Sequence, residues 1–194
     1  MTVYYGFGLN GEGLDILTVG NYSRIVGTVQ YYEAGETYQI SGVQYKAMRP
    51  DDPSNLKLIN TGNKPANQLV DADTFVNGIV EIVTDDGVQK LPYSKLAMNT
   101  TIRMENLYVD SYYTTDNEDS SSFGAMTLNC ISGGVPVTVR TGVFTDSNRN
   151  LITGDLYLHK NISVTGLVDY FSGDYQIKVI TQKDIIINEI GEVK

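Results

Sequence analysis

The side chains best placed to do chemistry in this 194-residue chain lie between Tyr112 and Tyr175. Thr127, Asn129, Thr138 and Arg140 fall at alternate positions of two strand-like runs, and a period of two puts them on one face. They offer hydroxyls, an amide and a guanidinium, which donate and accept hydrogen bonds but do not exchange protons near neutral pH. Tyr112, Tyr113, Phe123, Phe171 and Tyr175 sit at the ends of such runs, where rings can line a groove for sugars or bases. This is the chemistry of binding. The face carries no aromatic pair on which single-stranded bases would stack, a contact worth about 1–3 kcal/mol per base. The bland alternative is that the rings cover strand ends and that Arg140 is an ordinary solvated arginine.

Residues suited to catalysis or metal binding are sparse. His159 is the sole histidine, stands beside Lys160 and reads as a surface residue. Cys130 falls on the inward phase of its run and reads as an inert core thiol; as the sole cysteine it forms no intramolecular disulfide. Asp146, Asn148 and Asn150 have the spacing of a calcium loop. Leu151 and Tyr157 stand where such a loop needs its glycine and its glutamate, so a polar turn is expected instead. Asp116, Glu118 and Asp119 read as a solvated loop. No phosphate-binding loop or nucleophile elbow is present. The expectation is therefore no catalytic residue, no metal and no cofactor.

The elements that would position the binding face are strands. Ile162, Val164, Val168 and Tyr170 alternate with more polar residues, Ser172-Gly173-Asp174 turns the chain, and Tyr175, Ile177 and Val179 resume the pattern. Together they predict a hairpin, with Gly166 at a bulge or sharp bend. An earlier copy of this ribbon exists. Ile25, Gly27, Val29, Tyr31 and Tyr32 match Val164, Gly166, Val168, Tyr170 and Phe171, and both copies reach Tyr-Gln-Ile, at Tyr38 and at Tyr175. Val3 and Gly6 likewise precede the first copy much as Val139 and Gly142 precede the second. A duplicated all-β unit explains this.

Elsewhere, Thr101 to Tyr113 predicts a long strand, with Ile102 and Met104 inward, a change of phase near Asn106, then Leu107 and Val109 inward. Phe123 to Ile131 and Val135 to Phe144 predict the next two strands, with Met126, Leu128, Cys130, Val137, Val139 and Val143 inward. Asp85-Asp86-Gly87 marks a hairpin turn between Val76–Val83 and Val88–Leu91. Arg49 to Asn67, rich in Pro, Asp and Asn, reads as a linker.

The run Gly-x-Val-x-Tyr-(Tyr/Phe), a polar turn and Tyr-Gln-Ile resembles the last hairpin of OB-fold modules in secreted bacterial nucleases and cell-surface proteins. The resemblance is fuller over 99–188 than over 2–46. It implies an all-β chain of two OB-like Greek-key barrels in tandem, the first partial or completed by later residues. It also implies an exported or envelope protein whose ligand is an oligonucleotide or an oligosaccharide. The expected organisation is a partial first unit over 1–50, a linker and extra hairpin over 51–97 that could complete it, and a whole barrel over 98–190. Strand-like residues following Met1 directly suggest a fragment of a larger parent with a neighbouring domain.

Composition narrows the partners. Fourteen basic against 23 acidic residues give a formal charge of −9, the wrong sign for non-specific attraction to a polyanion. No apolar run is long enough to span a bilayer as a helix, so no membrane insertion is expected. Cysteine usage fits an exported protein and a cytoplasmic one equally. Two functions follow: a non-catalytic binding module, or a structural spacer or protein-interaction module without a small ligand. Oligomeric state is left open.

Overall fold

The computed structural model describes residues 2–3, 14–33, 37–41, 56–64 and 66–188. The chain is all-β and divides into two compact units, Met1–Ala66 and Asn67–Lys194. Gly6 and the rest of the expected first strand beyond Val3 lie outside the described residues, as do 42–55.

In the first unit, strand β1 (Thr2–Val3) runs parallel to β4 (Thr37–Ser41), which pairs antiparallel with β3 (Thr28–Tyr32). A second pair joins β2 (Tyr22–Ile25) to β5 (Leu56–Asn60). The presence of β5 corrects the linker reading of 49–67. Its Leu56 is the buried centre of the unit, packed by Val3, Ile16, Leu17, Ile25 and Ile40. A polar neighbourhood hid an apolar anchor.

The second unit opens with β6 (Gln68–Leu69) and helix α1 (Ala72–Asn77), where a strand was expected from Val76. Asp71 explains the difference. Its carboxylate accepts hydrogen bonds from the Thr74 N–H and hydroxyl, each at 2.8 Å, and so caps the helix start. These bonds, led by the one from the Thr74 N–H, lower the Asp71 pKa. Phe75 on the helix is buried in the core. The expected hairpin then forms from β7 (Ile79–Thr84) and β8 (Gly87–Pro92), and it belongs to this second unit, not to the first. A single helical turn, α2 (Tyr93–Leu96), follows.

The remaining strands are β9 (Thr101–Thr114), β10 (Ala125–Ser132), β11 (Val135–Val143), β12 (Asn161–Phe171), β13 (Asp174–Val179) and β14 (Ile185–Ile187). Their order, β14-β12-β13-β11-β10-β9-β6, carries an additional β12–β9 pairing, so five strands, β9, β10, β11, β13 and β12, return on themselves as a ring. Within the ring only β11 and β13 are parallel. Ile102, Met104, Leu107 and Val109 of β9 point inward with Leu128, Val139, Val164, Val168 and Ile177, all fully or almost fully buried. Each such side chain contributes about 1.5–3 kcal/mol over its exposed state. The phase change in β9 falls at Asn106, which has a φ of 58°, and there the register against β12 shifts. Asparagine tolerates that conformation better than most residues.

One inward assignment is corrected. Val143 is 49% exposed, because a bulge in β11 shifts the register opposite Ala125–Thr127 and turns Phe144 inward instead. Thr141 sits buried in this bulge and accepts a hydrogen bond from the Met126 N–H at 3.0 Å.

The duplicated ribbon is present twice with the same register. Val29 pairs with Ile40 and Tyr31 with Tyr38; Val168 pairs with Ile177 and Tyr170 with Tyr175. The ring centroids lie 5.1 Å apart at 58° in the first pair and 5.0 Å apart at 55° in the second. The parallel neighbour also matches, since Val3 pairs with Ile40 and Val139 with Ile177. The glycines differ in outcome. At Gly27 the first copy breaks into β2 and β3, whereas β12 runs through Gly166 unbroken.

At Gly166 a Cβ would lie 2.7 Å from the Lys178 carbonyl oxygen and 2.8 Å from Ile177 Cγ2, so β13 crosses too close for any side chain. Gly166→Ala is expected to destabilise the second unit by about 1–3 kcal/mol. Gly142→Ala, with nothing within 4 Å of its Cβ position, should stay within about 0.5 kcal/mol. Urea denaturation checks both, and equal losses would remove the close-approach explanation.

Candidate functional site

The outer faces of β10, β11 and β13, with the end of β9 and the loops around them, enclose a groove of about 810 Å³. Register places a row of side chains across it. Tyr113 pairs with Thr127, Thr127 with Arg140, and Arg140 with Lys178, one residue from each of four strands. Strands spaced at 4.7–4.9 Å make such a row about 14 Å long. A parallel row holds Ser111, Asn129 and Thr138, in which the Asn129 amide donates to the Ser111 hydroxyl at 3.1 Å.

Arg140 is held in place by neutral partners. Its guanidinium donates to the Thr127 hydroxyl at 2.8 Å and to the Thr115 hydroxyl at 3.5 Å. No ion pair engages Arg140 or Lys178 among the described residues. The guanidinium has five N–H donors in a fixed fork, so it keeps donors for a ligand. Asp169 and Asp174 also line the groove, where the Gln176 amide donates to Asp169 at 3.1 Å. Two cations and two carboxylates leave the groove close to neutral. Tyr113, 56% exposed, and Phe171, 70% exposed, supply its aromatic surface.

Of the nine candidates from sequence, Tyr113, Thr127, Asn129, Thr138, Arg140 and Phe171 line this groove. Tyr112, Phe123 and Tyr175 do not. Tyr112 has the opposite strand phase from Tyr113. Its ring occupies the space where Gly154 would otherwise carry a Cβ, and its hydroxyl donates to Asp155 at 2.6 Å. Tyr175 packs on Tyr170 and lines a smaller cavity of about 390 Å³ with Phe75 and Val76. Phe123 is half-buried in the turn before β10, its N–H donating to the Ser120 carbonyl at 3.0 Å.

Sequence reasoning missed Lys178, Gln176, Asp169 and Asp174 as groove residues. The outward phase of Gln176 and Lys178 was readable, but their place beside Arg140 depends on a parallel pairing between strands that are not consecutive. It missed Thr115, Ser121 and Ser122, which flank Asp116, Glu118 and Asp119 in the stretch read as a solvated loop. They line the groove instead, and that loop is pinned by backbone bonds from Thr115 to the Ala125 carbonyl and from Gly124 to the Thr115 carbonyl.

The other polar groups have structural settings. Asp146 accepts hydrogen bonds from the backbone N–H groups of Asn148 and Asn150 at 2.8 Å and from the Asn150 amide at 3.0 Å. These contacts, the Asn150 side chain first, lower its pKa and make an Asx turn. His159 is exposed, stacks on Tyr108 and shares a 3.2 Å hydrogen bond with its hydroxyl. No group of three or more His, Cys, Asp or Glu is gathered for a metal among the described residues. No helix of those residues is long and apolar enough to cross a membrane.

No protein-family model matches the chain, and no curated protein sequence matches it.

Two outcomes follow. Burial pushes the Cys130 thiol up to about 12, so a disulfide-exchange reagent at pH 8 should modify the native chain only as fast as it unfolds, and modify it at once in urea. Rapid labelling of the folded chain would contradict the inward placement. Tyr112 titrates above an ordinary tyrosine, chiefly through its hydrogen bond to Asp155. The neutral phenol is favoured, so the contact stabilises below the usual tyrosine range and is lost as pH rises through the raised value. In 13C-tyrosine NMR, Asp155→Asn should return this resonance toward the others.

Proposed function

We propose that the second unit is a non-catalytic binding module of the OB type, and that its groove takes an extended oligomer, with an oligosaccharide ahead of single-stranded nucleic acid. The strand order supports the OB reading: a five-strand ring, one parallel pair, and a short helical turn at Gly154–Leu156 between β11 and β12. The observation that carries the ligand class is the row Tyr113–Thr127–Arg140–Lys178, bounded by Phe171, in a groove whose charges balance. Rings, hydroxyls and amides with little net charge suit a neutral, hydroxyl-rich ligand. A nucleic-acid groove would instead carry surplus cations and stacked aromatics. The resemblance of the closing hairpin to modules of exported bacterial proteins supports an envelope or extracellular setting.

The test is calorimetric titration with neutral oligosaccharides and with a labelled deoxythymidine dodecamer, at about 50 and 200 mM salt. A glycan should bind with little dependence on salt. Phe171→Ala and Arg140→Ala should each weaken it about tenfold, the scale of one stacked ring or one charged hydrogen bond. Salt-sensitive binding of the dodecamer that Arg140→Ala removes would reverse the order of ligands. Binding of neither would leave the module a spacer.

A further inference from the structure

The groove continues beyond Thr138. On β11, Arg140, Thr138 and Pro136 share the outward face by alternation, with Val137 and Val139 buried between them. At about 3.3 Å per residue, Arg140 and Pro136 lie about 13 Å apart along the strand. Arg140 lines the large groove and Pro136 the smaller cavity of about 390 Å³, while Thr138 and Asp174 line both. Two hollows that share two walls adjoin.

The far walls of the smaller cavity come from outside the ring of strands. Phe75 and Val76 stand on α1 and Ser94 on α2. Both helices are anchored, because the Tyr93 N–H donates to the Gly78 carbonyl at 2.8 Å and the Tyr93 hydroxyl donates to the Gln68 side chain at 3.2 Å. Phe75 is 1% exposed and Ser94 2%, so the cavity reaches down to buried side chains. Its volume lies within the range of small-molecule pockets, about 300–1,000 Å³.

Its chemistry differs from that of the large groove. Phe75, Val76, Pro136 and Tyr175 make apolar or aromatic walls, Ser94 and Thr138 add hydroxyls, and Asp174 is the sole charged residue of the lining among the described residues. A sugar ring shows C–H bonds on its faces and hydroxyls on its rim, and such a lining matches both. The phosphate of a nucleotide would meet the Asp174 carboxylate with no cation beside it.

We propose that the smaller cavity is a second subsite of the large groove and receives one further sugar unit of the bound oligosaccharide, an assignment that rests on the oligosaccharide reading of that groove. The unit sets a ring face against the apolar walls and its rim hydroxyls toward Ser94 and Asp174. Helices α1 and α2 thereby set how long a ligand must be to bind fully.

The test is calorimetric titration of the full chain with β-1,4-linked glucose oligomers and with N-acetylglucosamine oligomers, each of two to six units. Affinity should climb about tenfold at one step of a series, where the oligomer first reaches the smaller cavity. Val76 is 42% exposed on α1, so a larger side chain there fills the cavity without crowding the core. Val76→Phe should abolish the step, and Ser94→Ala should reduce it to about threefold by removing one hydrogen bond. Arg140→Ala should weaken every length and keep the step. A series that binds without a step, or a step that Val76→Phe and Ser94→Ala both leave whole, overturns the subsite while the groove reading stands. Binding of no length in either series overturns both.

Discussion

A sheet stays open until it curls back on itself, and in the second unit it does so where Asn161–Leu167 of β12 pairs with Thr101–Tyr108 of β9. That meeting requires β12 to lie against β9 on one side and β13 on the other, and at Gly166 β13 leaves no room for a Cβ. Closure converts alternation into an inside and an outside. The inside holds apolar residues from each of the five strands. The outside aligns Tyr113, Thr127, Arg140 and Lys178 into one row, although they are far apart in the chain.

Much of this was legible in the residues. Period-two alternation named the buried faces of β9, β10 and β12, Asn106 marked the change of phase, and the two similar ribbons both form hairpins with matched registers. Four groove residues, Thr127, Asn129, Thr138 and Arg140, followed from the same alternation, and Tyr113 and Phe171 from their places at strand ends. What escaped notice has physical reasons. The helix at Ala72–Asn77 depends on the capping carboxylate of Asp71, a signal present in the sequence and easily overridden by the valines that follow. Strand β5 is stabilised by tertiary burial of Leu56 within a turn-rich stretch. The outward turn of Val143 follows from a bulge that no periodicity announces, and the placing of Lys178 beside Arg140 from a pairing that skips a strand.

The two ribbons show how far one sequence pattern determines its surroundings. The Val–Ile and Tyr–Tyr cross-strand pairs recur with nearly the same ring geometry, so local pairing is set by the ribbon itself. Burial is set by neighbours. Val168 faces a packed interior, while Val29, in the same register, faces outward.

The pairing of β9 with β12 has a further consequence for the order in which the molecule comes together. Tyr108 waits for Asn161 and Thr101 for Leu167, so the strand that begins the ring finds one of its neighbours only near the end of the unit. Such high contact order slows folding, because a long loop must be closed before any reward is gained. In order of synthesis β9, β10 and β11 precede both strands that close the ring, so the apolar faces they bury wait on β12 and β13 for their cover.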